Sequence, residues 1–388
     1  MTFAYTLRMQ KRLNTDKAQQ AIEKAGLTQT AVADALSVSK EAVSQWLNAK
    51  SFPRPNKLLQ LGKLLNLAFD ELVIKEDPFT PKVAFRKMKG TKTKDHHIEN
   101  AQEIGRFLRH LVPYLPFDTL EMPPVLKSPS CDYDYLRKVT AKVREDINLG
   151  LTDCVDFTHL IRRFGELQAV VVPVMWGSKK RHENAVHIYL LDSQSTWVYL
   201  NLDTNIHDFK FWMAHELGHC LSPSLEGDEA EDFADAFAAS LLYPHELAEK
   251  AYISIWSKPT PAAKIAHVVD LADQLTISPY TVFEQVNKYA VAVGKPEIKL
   301  SKAFHGAVTN FNKRYKNVSE ALFGDAELDD HGKPSAREYI AKAEDTFETP
   351  FFELLRKYLK EHNKGSGFVQ TVLDMPLLDA WSIHAELT

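Results

Sequence analysis

The first 75 residues alternate short apolar runs of helical spacing with residues that begin or end helices. Asp16, Thr28 and Ser39 each stand just before such a run, where a side-chain oxygen can accept a hydrogen bond from a free backbone N–H. Pro53 and Pro55 then interrupt the chain before a run with leucines at helical spacing. The pattern predicts an all-α N-terminal region of four short helices.

Beyond residue 134 the pattern indicates a mixed fold. A helical period covers residues 135–147. Three runs rich in β-branched and aromatic residues predict short strands, at 169–175, 186–191 and 197–202. Two helices are predicted near 206–221 and 230–242, and the remainder of the chain is mostly helical in period. We therefore expect a small sheet followed by helices, an α+β arrangement.

Composition divides the chain into four segments. Lys, Thr, Pro and Gly dominate residues 75–95, as in linkers, and a helical period at 98–111 follows. The predicted segments are a helical domain at 1–75, a basic linker with a connecting helix at 76–134, a mixed domain at 135–290 and a helical region of unknown role at 291–388.

The net charge of −4 conceals two oppositely charged parts. Residues 1–95 carry 17 Lys and Arg against 9 Asp and Glu, a net charge of +8, so residues 96–388 carry −12. A basic N-terminal part on an acidic body predicts a module for a polyanion. The three cysteines lack the spacing of a metal knuckle, which predicts that they are reduced thiols. The sequence contains no apolar run of ~18–20 residues, so we predict a cytoplasmic protein without a membrane segment.

Residues 27–50 (LTQTAVADALSVSKEAVSQWLNAK) combine two capped helices with a tight turn around Ser37. Val32, Leu36, Val43 and Trp46 are spaced to pack the two helices together, and such a pair can place its second helix in a major groove. Residues 16–72 resemble the Xre/lambda-repressor-like helix-turn-helix family. The resemblance implies a double-stranded DNA operator as partner.

Matching this family position by position implies six DNA-contacting residues. Gln29, at the start of the second helix, corresponds to a phosphate or base-proximal contact. The residues that would face the groove are Lys40, Glu41, Ser44 and Gln45, with Asn48 as a backbone contact. Ser37 stands where the family has a turn glycine, and Ala49 where a glycine usually follows Asn48. A left-handed Ser37 would cost about 1 kcal/mol relative to glycine.

A second motif, HELGH, lies in the predicted helix at 206–221. His215 and His219 are one helical turn apart, so both imidazoles can reach one ion. Zinc accepts two histidines and a carboxylate, keeps a water ligand and lowers the pKa of that water to about 7. Glu216 is rotated toward such a water, as suits a general base. The motif predicts a zinc metallo-endopeptidase.

The third ligand is expected from the next predicted helix, which begins with several acids. Glu231 and Asp235 are again four residues apart and share one face. We predict Glu231 as the zinc ligand and Asp235 as the carboxylate that accepts the other N–H of a ligating histidine. Asp235 as the ligand is the alternative, and Asp232 is expected to be solvated.

The runs VYLNLD, FWMAHELGHCL and EDFADAFAASLLYP together resemble the ImmA/IrrE family of zinc metallopeptidases. The matching positions are Asn201, His215, Glu216, His219, Glu231, Ala234, Phe237, Ala238, Leu241, Leu242 and Pro244. Asp235 stands where the family usually has Asn. Over residues 135–290 the resemblance implies a zincin-like fold, bound Zn²⁺ and cleavage of helix-turn-helix repressors that control phage, mobile-element, defence or stress genes.

Three functions remain open at this point. The chain is an endopeptidase that cuts a repressor or itself, a transcription factor whose metallopeptidase-like domain senses a partner without proteolysis, or an antitoxin that holds a toxin. The oxyanion-stabilising residue is open among Tyr243, His245 and His187. The strand at 197–202 could be an edge strand that holds the substrate backbone, and a plain sheet strand explains its pattern equally well. The region after residue 244 could form a homodimer, gate the cleft or bind an inducer.

Overall fold

The computed structural model describes residues 11–48, 51–75, 80–84, 95–117, 125–177, 184–325 and 333–388. Contacts divide the chain into two compact units, Met1–Thr80 and Pro81–Thr388.

The first unit is helical, with one short two-stranded sheet. Its elements are β1 (Lys11–Leu13), α1 (Thr15–Lys24), α2 (Gln29–Leu36), α3 (Lys40–Leu47), α4 (Pro55–Leu65), α5 (Phe69–Leu72) and β2 (Val73–Lys75). β1 pairs antiparallel with β2, and apolar side chains of the helices form a core of their own. The four predicted helices are confirmed, whereas the three-residue strands are too short to show a periodicity in the sequence.

The helix boundaries follow from side-chain caps. Thr28 Oγ1 accepts from the N–H of Ala31 at 3.1 Å, and Ser39 Oγ accepts from the N–H of Ala42 at 3.2 Å, as predicted. The expected cap Asp16 is wrong. Asn14 caps α1 through the N–H of Lys17 at 3.2 Å, because β1 ends at the residue before Asn14 and Asp16 already lies in the first turn.

Ser37 ends α2 in the left-handed region, with φ 50° and ψ 54°. We expect Ser37→Gly to stabilise this part of the domain by about 1 kcal/mol, because glycine adopts this conformation without a Cβ clash. Native-state hydrogen exchange of the α2 amides would measure the gain. Asn66→Gly is the matched control: Asn66 ends α4 at φ 52°, and asparagine tolerates this region better than serine. Equal gains at the two positions would contradict the explanation.

The second unit packs many helices around a four-stranded sheet. Its elements are β3 (Lys82–Ala84), α6 (Asp95–Leu108), a 3-10 turn (Val112–Tyr114), α7 (Tyr133–Asp146), α8 (Phe157–Glu166), β4 (Ala169–Val174), β5 (Ala185–Leu190), β6 (Ser195–Asn201), α9 (Ile206–Leu221), α10 (Gly227–Leu242), α11 (His245–Trp256), α12 (Pro261–Leu275), α13 (Pro279–Ala292), α14 (Ala303–Asn312), α15 (Val318–Phe323), α16 (Ala336–Phe347), α17 (Phe351–His362), α18 (Ser366–Leu373) and α19 (Leu377–Leu387). The small mixed sheet and the helices after it agree with the expected order, while the zincin-like identity stays a prediction.

The strand order is β3-β5-β6-β4, with β4 parallel to β6 and the other pairs antiparallel. β6 therefore lies inside the sheet, and the suggestion that residues 197–202 form an edge strand is wrong. The reason is that β4 returns to pair beside β6, from Ala169 opposite Thr196 to Val174 opposite Asn201. Among the described strands, β3 and β4 form the edges.

The edge of β4 is occupied by the C-terminal helices. The hydroxyl of Tyr339 donates to the carbonyl of Pro173, and Thr349 Oγ1 donates to the carbonyl of Val171. Apolar residues of α16 to α19 belong to the same core as the sheet. The division after residue 80 leaves β3, a strand of this sheet, and the C-terminal helices that pack on the sheet in one unit. The predicted boundaries at 134 and 290 stay predictions. None of the helices in the described ranges has the length and hydropathy needed to cross a bilayer.

Candidate metal centre

Helix α9 carries the HELGH segment through the middle of the second unit, between α10 and the strands β5 and β6. Gly218 lets α10 come close: a Cβ at this position would lie 3.1 Å from Ala234 Cα and 3.2 Å from Phe237 Cδ1. Any side chain here would press on the neighbouring backbone. Gly218 has no role in the metal-ligand spacing itself, although its place between the two histidines hints at a tight contact.

This packing brings the three predicted ligands together. His215 Nε2 lies 3.0 Å from His219 Nε2. The carboxylate of Glu231 bridges the two rings, with Oε2 3.4 Å from His215 Nε2 and Oε1 3.4 Å from His219 Nε2. Within the described residues these three side chains form the cluster able to hold a metal ion, with ligand atoms all within 4.8 Å of one another. As whole residues, His215, His219 and Glu231 are 0, 5 and 8% exposed.

Asp235 lies on the other side of the His215 ring. Its Oδ1 is 2.9 Å from His215 Nδ1, so that nitrogen donates to Asp235 and leaves Nε2 for the cluster. The Asp235 side chain is 38% exposed, whereas that of Glu231 is 11% exposed. In this geometry the Glu231 carboxylate lies within reach of Nε2 of both histidines, whereas Asp235 contacts Nδ1 of His215. The roles of Glu231 as a metal ligand and of Asp235 as its support stay predictions.

The three side chains of the cluster shift one another's pKa values. Burial opposes a charge on His215, but its hydrogen bond to Asp235 and the nearby Glu231 carboxylate outweigh burial and raise the pKa of His215 to about 9. Burial would raise the pKa of Glu231, but the close imidazoles of His215 and His219 outweigh it and lower that pKa to about 2. Burial lowers the pKa of His219. The carboxylate thus stays ionised, as a metal ligand must be.

The donor set fits a zinc ion. Two imidazole nitrogens and a carboxylate converge in a buried space, and Glu231 Oε2 makes no hydrogen bond of good geometry within the described part of the chain. Two histidines and one carboxylate match the protein ligands of catalytic zinc sites. Carboxylate support on His215 Nδ1 is also the usual arrangement around a ligating histidine.

Glu216 lies beside the cluster without belonging to it. Its Oε2 is 3.6 Å from His187 Nδ1, a residue of β5. Burial raises the pKa of Glu216 to about 7, and burial lowers the pKa of His187 to about 4. A buried carboxyl group with a pKa near neutrality can both accept and return a proton.

A small cleft opens next to His219. It is lined by Val125, His187, Tyr189, Thr196, His219, Cys220 and Pro223. Of the three candidates for oxyanion stabilisation, His187 is the one in this cleft. His245 instead contacts the hydroxyl of Tyr133 at 2.8 Å, and Tyr243 is buried just past the end of α10.

We expect Asp235→Ala to weaken zinc binding by about 10–100-fold, because the His215 ring loses the partner of its Nδ1–H. Competition with a chelator of known affinity would measure the change. Asp235→Asn restores the residue usual in the ImmA/IrrE pattern, keeps an acceptor and is expected to stay close to wild type. If Asp235→Ala binds zinc as tightly as the wild type, Asp235 does not support the His215 ring as a metal ligand.

The helix-turn-helix pair lies in the first unit, with α3 as the second helix of the motif. Five of the six predicted DNA contacts are exposed and Ser44 is half-buried. Asn48 donates from Nδ2 to the carbonyl of Ser44 at 2.8 Å, and Gln45 Oε1 accepts from Ser51 Oγ at 3.4 Å. The amide of Asn48 therefore closes α3, and its proposed DNA contact and the other five stay predictions.

Comparison with known proteins identifies the first unit. Residues 19–72 match the helix-turn-helix family model HTH_3. No curated protein matches the chain. The match covers α2, its turn and α3, so the chain carries an N-terminal helix-turn-helix domain of the kind found in DNA-binding transcription regulators.

Proposed function

We propose that the chain joins its DNA-binding domain to a zinc-dependent endopeptidase that cleaves a helix-turn-helix repressor or the chain itself. The observation that carries this proposal is the convergence of His215, His219 and Glu231 beside the Glu216 carboxylate, whose Oε2 makes no hydrogen bond to any described residue. The ImmA/IrrE-like spacing of the motifs supports the same function.

The proposed roles follow from position. His215, His219 and Glu231 would hold the ion, with Asp235 fixing the His215 ring. A bound zinc ion would supply a Lewis acid for a peptide carbonyl and a water of lowered pKa. Glu216 would orient that water, accept its proton and deliver a proton to the leaving amine. Because Glu216 is buried, little bulk water competes for its carboxylate.

The presence of Glu216 argues against the alternative function, a sensor that does not cleave proteins. A purely structural zinc site needs no acid beside its ligands. Glu216 is buried, and its Oε2 accepts no hydrogen bond from the described residues, an arrangement that lowers the stability of the fold. A buried acid kept at this cost favours a catalytic zinc site over a purely structural one.

The experiment combines metal analysis with a cleavage assay. We expect about one zinc per purified chain, and fragments when the protein is incubated with candidate operator-binding repressors and inducer. A zinc chelator should stop cleavage, and added zinc should restore it. Stoichiometric zinc without cleavage of any repressor or of the chain would contradict the endopeptidase and favour a sensor or antitoxin.

A further inference from the structure

His187 occupies a central position of β5, where its neighbours along the strand are apolar. It pairs with Ala84 of β3 and Val198 of β6, so the sheet holds its backbone on both sides. Its side chain projects from the sheet face that also presents Tyr189 to the cleft. The sheet, and not a loop, therefore sets the position of this imidazole.

A buried polar atom of His187 on β5 faces a buried polar atom of Glu216 on α9. His187 Nδ1 and Glu216 Oε2 are 3.6 Å apart, and neither makes a hydrogen bond within the described ranges. The two side chains are 8 and 3% exposed, so bulk water gives them little compensation. A movement of about half an ångström would bring the pair into N–H···O distance.

The two residues are held differently. The β5 backbone is held between two strands, whereas the Glu216 carboxylate lies at the end of an unbranched side chain from α9. A neutral imidazole carries one N–H, which can lie on Nδ1. A proton on Nδ1 would satisfy both buried atoms at once.

We propose that His187 is a positioning residue: its Nδ1–H holds the Glu216 carboxylate in place beside the metal ligands. The inference rests on the proposed function, because the position of Glu216 matters where it accepts a proton. It adds a strand residue to a site otherwise supplied by α9 and α10. His187 acts through Glu216 and not as a ligand, since the metal cluster forms without it.

The test is a double-mutant cycle on the zinc-loaded full chain, with acetohydroxamic acid as the probe. A hydroxamic acid gives up a proton when it binds zinc, so its affinity depends on a well-placed base. We expect His187→Leu to weaken binding about tenfold in the wild-type background and less than about twofold in Glu216→Gln. His187→Asn carries an amide N–H near the position of Nδ1 and should stay within about threefold of wild type.

Zinc content and circular dichroism verify that each variant is folded and loaded. Equal losses for His187→Leu in both backgrounds, or failure of His187→Asn to restore affinity, would overturn the inference. If Glu216→Gln weakens the probe while His187→Leu does not, the inference fails and the metal centre stands. If the wild type takes up no zinc, the proposed function fails and the inference with it.

Nitrogen NMR of the His187 ring supplies a readout independent of the probe. We expect the proton on Nδ1, in the metal-free and the zinc-loaded protein alike. A ring protonated on Nε2 alone would leave Nδ1 without a hydrogen to donate and would overturn the inference.

Discussion

Glu216→Gln is expected to keep zinc and to lose cleavage by about 10²–10⁴-fold, the usual contribution of a general base. The amide has nearly the same shape but cannot accept the proton of a water molecule. Glu216 Oε2 makes no hydrogen bond in the described structure, so exchanging this oxygen for an amide group breaks no hydrogen bond there. The loss should therefore appear in the chemical step and not in folding.

We would measure the single-turnover rate at which the protein cleaves a repressor or itself. The zinc content of the same sample is measured in parallel. Glu229→Gln is the matched control, an exposed acid in the first turn of α10, and should cleave like wild type. Cleavage by Glu216→Gln within tenfold of wild type would assign the base to another residue.

Glu231→Gln is expected to lower zinc affinity by more than about 100-fold, beyond the 10–100-fold typical of residues that only support a ligand. The substitution removes the negative charge between two imidazoles and replaces one bridging oxygen with an amide nitrogen. Loss of stoichiometric zinc on dialysis, followed by elemental analysis, measures the effect.

Asp232→Asn controls for charge in the same turn, since Asp232 is exposed beside Glu231. It should retain about one zinc per chain. If Glu231→Gln keeps its zinc while Asp235→Ala loses it, Asp235 is the ligand and the geometric assignment is wrong.

The helix-turn-helix domain could be predicted almost completely, because its signals are local. Thr28 and Ser39 begin their helices through bonds to N–H groups three residues away. The apolar side chains of α2 and α3 lie on one face of each helix, and these two faces pack together. The error at Asp16 arose because the position of a cap depends on β1, a strand too short to recognise.

The spacing of His215 and His219 follows from the sequence alone, since four residues make one helical turn and place both rings on one face. The same rule indicates Glu231 and Asp235. Which of these two acids reaches the histidines depends on how α10 lies on α9. The packing of the two helices settles this through Gly218, where the two backbones approach. The tertiary structure also places β6 inside the sheet and brings His187 to within 3.6 Å of Glu216. These contacts join residues far apart in the chain, and helical and strand periodicities carry information only about neighbours within an element.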